Sequence, residues 1–387
     1  MAFEDILQST SSEQNHTDNF ETSFAVHVGA RAAFGLSSGR ACLRFGLELL
    51  DTVPNFEVII PTFVCGAVAD AVIAAGGTPV LCDVKATDGT IDPSKIRSCI
   101  SEKTIAIVAV HYQGLPCDID EILEIGEENG VPVIEDCAHA IGSKFAGRPL
   151  GTFGSFAIYS FSVDKPMTTG NGGIITTNST ENQEKMLLKM KTLNSPSKAD
   201  ELHVLKLLLE INLLSNERTY GLSSFTYFPA MNFSLASLGF KPNYVMQAMT
   251  RTASRVGVRQ LKLMDWFIQA RTSKANELRE SLANSRKIRT YENSKLKEPV
   301  FLRYTILTDS PSSRERLMRQ LKRAGIEAGP INWRLPLHFL PQYSENCVRG
   351  TSFEGADEFS SRFLNLPCHP FVSEDNITKI GKYANSL

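Results

Sequence analysis

The sequence predicts an α/β protein: a mainly parallel mixed sheet sandwiched by helices, followed by a smaller α+β C-terminal domain. Three observations carry that expectation. Between Ala41 and Thr177, short apolar runs alternate with helical patterns of about 10–15 residues, the rhythm of crossover units in a parallel sheet. Several of those runs are apolar throughout, as strands covered on both faces are. Beyond Tyr244 the rhythm changes to long helical stretches and one isolated strand-like segment.

The elements follow in order. "RACLRFGLELLD" spaces its apolar residues as a helix does, "EVIIP" reads as a strand, and "CGAVADAVIAAGG" as a helix closed by glycines. "TPVLCDV" is a strand, "DPSKIRSCI" a short helix opened by Asp-Pro, and "TIAIVAVHYQG" a further strand. "DIDEILEIGEENG" is a helix with a glycine stop, and "VPVIED" a strand ending in two carboxylates. "GSFAIYSFS" and "GGIITT" are strands on either side of a loop that contains Lys165. A helical region from Tyr244 to about Ser285 follows. "PVFLRYTIL", "RERLMRQLKRAG" and "IEAGPI" then suggest the α+β unit, closed by a helix over "DNITKIGKYANS". The expected division is residues 1–250, with an N-terminal arm and an apolar helical segment near 200–236, and residues 251–387.

The 387 residues suffice for two domains with a large core. A composition of 42% hydrophobic and 21% charged residues with a net charge of −2 gives no electrostatic case for nucleic acid or an anionic membrane. The eight cysteines (Cys42, Cys65, Cys82, Cys99, Cys117, Cys137, Cys347, Cys368) form no CxxC pair and read as reduced, without metal, in a cytoplasmic protein. The polar N-terminus lacks the apolar core of a secretory signal. "LHVLKLLLEINLLS" is too short to span a bilayer and contains Lys206 and Glu210; it reads as a helix packed on the body or on a partner subunit.

One lysine, Lys165, sits between a buried strand and a loop of Pro, Thr, Asn and Gly, where a solvated lysine would not be expected. Asp136 ends the strand "VPVIED". Both could face one crevice outside the carboxyl ends of a parallel sheet. A carboxylate and a lysine facing each other through a flat ring suit pyridoxal phosphate: the lysine forms the Schiff base and the acid keeps the ring nitrogen protonated. Taken singly, Asp136 also reads as a helix cap or a surface pair, and Lys165 as a surface residue. The Ser-Ser-Gly turn of "LSSGRACLRFGLELL" opens a helix whose free N–H groups suit a phosphate, or is simply a capped start. Gly39 admits the backbone, Arg40 adds charge, and Ser160 is a candidate hydroxyl donor.

Together, "VIIPTFVCGAVADAVIAAGGTPVLCDV", "VPVIEDCAHAIGSKFAGRPLGTFGSFAIYSFSVDKPMTTGNGG" and "PLHFLP…LNLPCHP" resemble the DegT/StrS-type (DegT/DnrJ) sugar aminotransferases. These are fold-type I pyridoxal-phosphate enzymes. The resemblance runs from about Val28 to the end and is weakest between Ser195 and Ser237. It implies a homodimer with shared active sites, taking an amino group from an amino acid, L-glutamate above all, to a nucleotide-linked keto sugar or related cyclic ketone. By position, Lys165 matches the Schiff-base lysine that also moves the proton, and Asp136 the acid on the ring nitrogen. His139 falls where the family packs Gln or His near the ring, or is a satisfied buried residue. Ser160 with the Gly39–Ala41 backbone matches the phosphate cup. Asn243 or Lys241 matches the polar residue lent by the neighbouring subunit. His338 matches a residue near the substrate entrance.

The chain also departs from the pattern. Asn171 replaces an acid after the lysine, where it would meet substrate. Cys65 stands where many members stack an aromatic ring, which leaves that face to Cys65 or Phe63. Arg40 replaces a small hydroxyl residue. Other chemistry on the same fold, elimination or decarboxylation, and a non-catalytic cofactor-binding sensor are the alternatives. A dinucleotide-binding dehydrogenase lacks its GxGxxG.

Overall fold

The computed structural model describes residues 16–214, 245–291, 294–330, 335–347 and 352–387. Two elements precede the alternation read from the sequence: helix α1, His16–Val28, and strand β1, Ala32–Leu36. Phe20 and Phe24 of α1 are fully buried; Phe24 meets Tyr159 and Phe161 edge-on, and Phe20 packs tilted against Phe161. Truncating either ring would cost about 3–5 kcal/mol.

Helix α2, Gly39–Leu47, leads to β2, Glu57–Pro61; α3, Gly66–Ala74, leads to β3, Thr78–Cys82. Then come α4, Pro93–Cys99, β4, Thr104–Val110, α5, Ile119–Asn129, and β5, Val133–Asp136. Strands β6, Phe156–Ser160, and β7, Gly173–Thr177, complete a seven-stranded sheet of order β1-β7-β6-β5-β4-β2-β3. Strands β2 to β6 are parallel, whereas β7 returns antiparallel to β6 and β1 is antiparallel to β7. The β6–β7 return therefore lies at the carboxyl end of β6, which puts the Lys165 loop over the parallel strand ends.

Both faces of the sheet are buried, as the uniformly apolar strands predict. In β4, Ile107 and Ala109 join one core, while Ala106, Val108 and Val110 join the other. That is the two-residue period of a strand.

Helix α6 spans Thr180–Met190 and α7 spans Lys198–Leu214. The α7 residues Val204 and Leu208 are buried, and a Cβ on Gly170 would lie 3.1 Å from Leu208 Cγ, so α7 lies over the loop that follows the lysine. Among the described residues no helix is long and apolar enough to cross a membrane. The helical region expected from Tyr244 to about Ser285 is two helices, α8, Arg251–Leu261, and α9, Met264–Leu282. Thr250 caps α8 only after residues 245–249 have run extended beside Leu36 and Asn194. Packing on those neighbours displaces the helix start from Tyr244.

A three-stranded antiparallel sheet follows: β8, Ile288–Thr290, β9, Arg303–Thr308, and β10, Phe363–Pro367, with β9 central. Helices α9, α10 (Pro311–Arg323) and α13 (Glu374–Asn385) supply Leu278, Leu321 and Ile380 to its own core. Between α10 and β10 lie the shorter α11, Pro341–Cys347, and α12, Glu354–Arg362.

Candidate active site

A cavity of about 560 Å³ opens where β4, β5 and β6 end; Val110, Asp136, Ile158 and Ser160 form its floor. Strand order reverses between β2 and β4, the place where open α/β sheets bind ligands.

Asp136 is the last residue of β5 and is 7% exposed. Its Oδ1 accepts the Ala138 N–H at 2.9 Å. Burial pushes the carboxyl above the usual range, against the pull of that bond and of Lys165. Its neighbour Glu135 points the other way, as strand alternation requires. Glu135 is fully buried and accepts N–H bonds from Gly151, Phe153 and Gly154 at 2.7–2.8 Å. Its Oε2 also lies 3.2 Å from His111 Nε2. Burial alone would raise Glu135; His111 and the backbone donors outweigh it and hold the carboxyl below its ordinary value. Glu135 thus anchors the 151–154 turn and His111, and so braces the strand end that presents Asp136.

Lys165 Nζ lies 2.9 Å from His139 Nε2 and 3.4 Å from Asp164 Oδ2. His139 is 4% exposed, and its Nδ1 accepts the Gln113 backbone N–H at 3.3 Å. Burial first, then the charge of Lys165, hold its pKa well below that of free histidine. Burial would raise Asp164, but Lys165, His139 and the Ser162 hydroxyl hold it below the usual range. His139 and Lys165, two of the residues singled out in the sequence, are therefore in direct contact.

Opposite the lysine, Ser38 caps α2, its Oγ accepting the Ala41 N–H at 3.1 Å. Of the expected phosphate cup, Gly39 and Arg40 line the cavity beside Ser37 and Ser38, while the Ala41 N–H is engaged by that cap. A Cβ on Gly39 would lie 2.9 Å from Ser160 Cβ, so only glycine leaves room for the β6 end to meet the helix start. Arg40 lies 3.6 Å from Asp70, whose Oδ1 accepts the Tyr343 hydroxyl at 2.9 Å.

Cys65 lines the cavity at the start of α3, its thiol pushed up by burial. Phe63, the other candidate for that wall, instead packs among Tyr112, Phe359 and Phe363, away from the cavity. Asn171 lines the cavity, its Oδ1 accepting the Gly172 N–H. His338 is not among the lining residues; it bridges Thr62 Oγ1 at 2.9 Å and Asp357 Oδ1 at 3.0 Å and stacks on Phe353. Asn243 and Lys241 lie outside the described residues.

The sequence reading missed Asp164, His111, Gln113, and the α7 residues Asp200 and His203 that close one side of the cavity. Asp164 had a signal, its adjacency to the lysine. The α7 pair had none, because only the fold brings residue 200 beside residue 171.

These residues fit pyridoxal phosphate. A buried acid at a strand end can hold the ring nitrogen, a lysine faces the same space, and a glycine-opened helix start beside Ser160 suits the phosphate.

Residues 1–384 match the family model described as the DegT/DnrJ/EryC1/StrS aminotransferase family. The chain is 30% identical to GDP-perosamine synthase of Escherichia coli O157:H7 over 97% of this chain and 91% of that protein. It is 37% identical to L-glutamine:scyllo-inosose aminotransferase of Streptomyces griseus, over 41% of this chain and 37% of that one. Its fold matches the Streptococcus pneumoniae protein Spr1654 in its PLP form with a TM-score of 0.77, at 22% identity, over 99% and 94% of the two chains.

Proposed function

Because the chain belongs to the DegT/DnrJ/EryC1/StrS aminotransferase family, we propose that it moves an amino group from L-glutamate to a nucleotide-linked keto sugar. The observation that supports this reading best is the convergence of Lys165, His139 and Asp136 on one cavity that the glycine-opened start of α2 also lines.

When bound, pyridoxal phosphate supplies a ring that withdraws electrons from the substrate carbon and carries the amino group between substrates. Asp136 holds the ring nitrogen, whose positive charge offsets the cost of keeping that carboxylate buried. Ser160, Gly39 and Arg40 hold the phosphate at the α2 N-terminus, where the helix dipole adds to the attraction. Lys165 Nζ takes a proton from the substrate carbon and returns it, with His139 Nε2 fixing where that amine points. The neutral His139 leaves Asp164 as the one acid within 4 Å of Lys165 Nζ among the described residues. Asn171 and the α7 residues Asp200 and His203 form the wall where a sugar would be distinguished.

Similarity to GDP-perosamine synthase makes a GDP-linked keto sugar the first acceptor to test, and similarity to the Streptomyces griseus enzyme adds scyllo-inosose as acceptor and L-glutamine as donor. The test is transfer of label from amino-¹⁵N glutamate or glutamine, with each acceptor, read by mass spectrometry. Label in an aminated GDP-sugar supports the proposal. Label reaching only scyllo-inosose replaces the acceptor, and release of a keto acid without amine transfer contradicts the reading. The homodimer inferred from the resemblance belongs to the same proposal and is tested by light scattering of the loaded protein.

A further inference from the structure

We propose that Gln113 sets the tautomer of His139: its backbone N–H occupies Nδ1 and leaves the ring proton on Nε2, aimed at Lys165. The inference deepens the proposed function, since it rests on reading Lys165 as the reacting amine. Three observations carry it.

The first is the hydrogen-bond pattern. A neutral imidazole has one N–H and one bare nitrogen. The Gln113 N–H donates to Nδ1, so Nδ1 is the bare one and Nε2 bears the hydrogen. Nε2 in turn lies 2.9 Å from Lys165 Nζ.

The second is the backbone of Gln113 itself. It adopts φ 53°, a left-handed conformation that a side chain other than glycine seldom takes. Such a conformation persists only where its surroundings impose it. Here the Gln113 carbonyl accepts the Leu302 N–H at 2.9 Å. The next carbonyl, that of Gly114, accepts the Ser143 hydroxyl at 2.8 Å, and Ser143 Oγ in turn accepts the Val300 N–H at 2.9 Å. Gly114 has no room for a Cβ, which would lie 2.1 Å from the Val300 carbonyl oxygen. The turn is bolted to the segment before β9 and to the chain just after His139. Its strain is spent on aiming one N–H.

The third is the setting of the ring. His139 is 4% exposed, and the charged groups acting on it are Lys165, Asp164 and Arg303. Burial keeps it neutral, so the tautomer is the property left for the protein to choose. Gln113 is a positioning residue in this scheme, acting through His139.

The experiment is long-range ¹H–¹⁵N spectroscopy of histidine-labelled, cofactor-free full-length chain, in which seven histidines give a small set of ring patterns. His139 is assigned by the signal lost in His139→Gln, or in His139→Asn should the first variant not fold. The proposal predicts a proton on Nε2 and a bare Nδ1 from about pH 8 down to the ordinary histidine value of about 6.5. It also predicts the same pattern in Lys165→Ala, because the Gln113 N–H does not depend on the lysine. A proton on Nδ1, an imidazolium inside that pH range, or a tautomer that switches when Lys165 is removed would each overturn it. None of these readings depends on turnover, so failure of the aminotransferase reading would appear separately, in the label-transfer test.

Discussion

Lys165 Nζ and His139 Nε2 lie 2.9 Å apart, with the histidine buried and held neutral and its other ring nitrogen tied to the backbone. A lysine fixed in this way keeps its amine inside the cavity before any ligand arrives. Preorganisation of that kind removes the cost of ordering a long side chain at the moment of reaction.

Asp136 places function against stability. Its folded pKa is raised, so the folded chain retains a proton that the unfolded chain has lost. Stability of the cofactor-free protein therefore falls as pH rises from the ordinary aspartate value of about 3.9 through the raised one. Asp136→Asn removes that loss and is expected to raise the Tm of the cofactor-free chain at pH 7. The same change is expected to lower turnover on the order of 100-fold, because the ring nitrogen loses its countercharge. Calorimetry of the cofactor-free protein and steady-state rates of the loaded one check the two halves; a lower Tm would contradict the first.

Glu135 carries the opposite sign. Its pKa is depressed in the fold, so it contributes stability above the ordinary glutamate value of about 4.3 that is lost as pH falls through the depressed value. His111, raised by its partners, contributes below about 6.5 and loses that contribution as pH rises through its folded value. Glu135→Gln leaves His111 without its countercharge and is expected to cost about 3–5 kcal/mol at pH 6. Urea titrations at pH 6 and pH 3.5 measure the loss, which should shrink at the lower pH.

The phosphate cradle is tested at Gly39 and Ser160. Gly39→Ala drives a Cβ to 2.9 Å from Ser160 Cβ, so the α2 start must move. Ser160→Ala removes one hydroxyl donor, worth about 1 kcal/mol, or roughly fivefold in cofactor affinity. Gly39→Ala is expected to weaken binding more than Ser160→Ala. Equilibrium dialysis with pyridoxal phosphate, and with the unphosphorylated pyridoxal as control, checks this; equal losses for both ligands would place the cradle elsewhere.

Much of the sheet was legible because its strands are short apolar runs and those of β2 and β4 are followed by glycine-stopped helices. "EVIIP" and "TPVLCDV" are strands where the pattern put them, the second ending two residues early. Strand β1, "AAFGL", was not legible, being brief, alanine-rich and paired with β7, which lies far along the chain. Helix α1 was hidden in a polar segment whose two phenylalanines carry its packing. At the site, Asp136 and Lys165 stood out because a carboxylate at a strand end and a lysine in a glycine loop are both out of place unless they serve a pocket. Glu135 next to Asp136 was indistinguishable from it in sequence; only the alternation of the strand and the turn at 151–154 separate their roles. Gln113 left no trace, since a left-handed backbone at a non-glycine residue has no sequence signature.

The most direct measurement is the absorbance spectrum of the protein loaded with pyridoxal phosphate, before and after L-glutamate, beside Lys165→Ala. The account predicts a visible band in the wild-type protein that glutamate converts to the spectrum of the pyridoxamine form. It also predicts that Lys165→Ala lacks the wild-type band and slows the glutamate-driven change by about 10²–10⁴-fold, the range for loss of a general acid–base group. A wild-type band that persists in Lys165→Ala, with glutamate conversion at an undiminished rate, would contradict the central claim that Lys165 is the reacting amine.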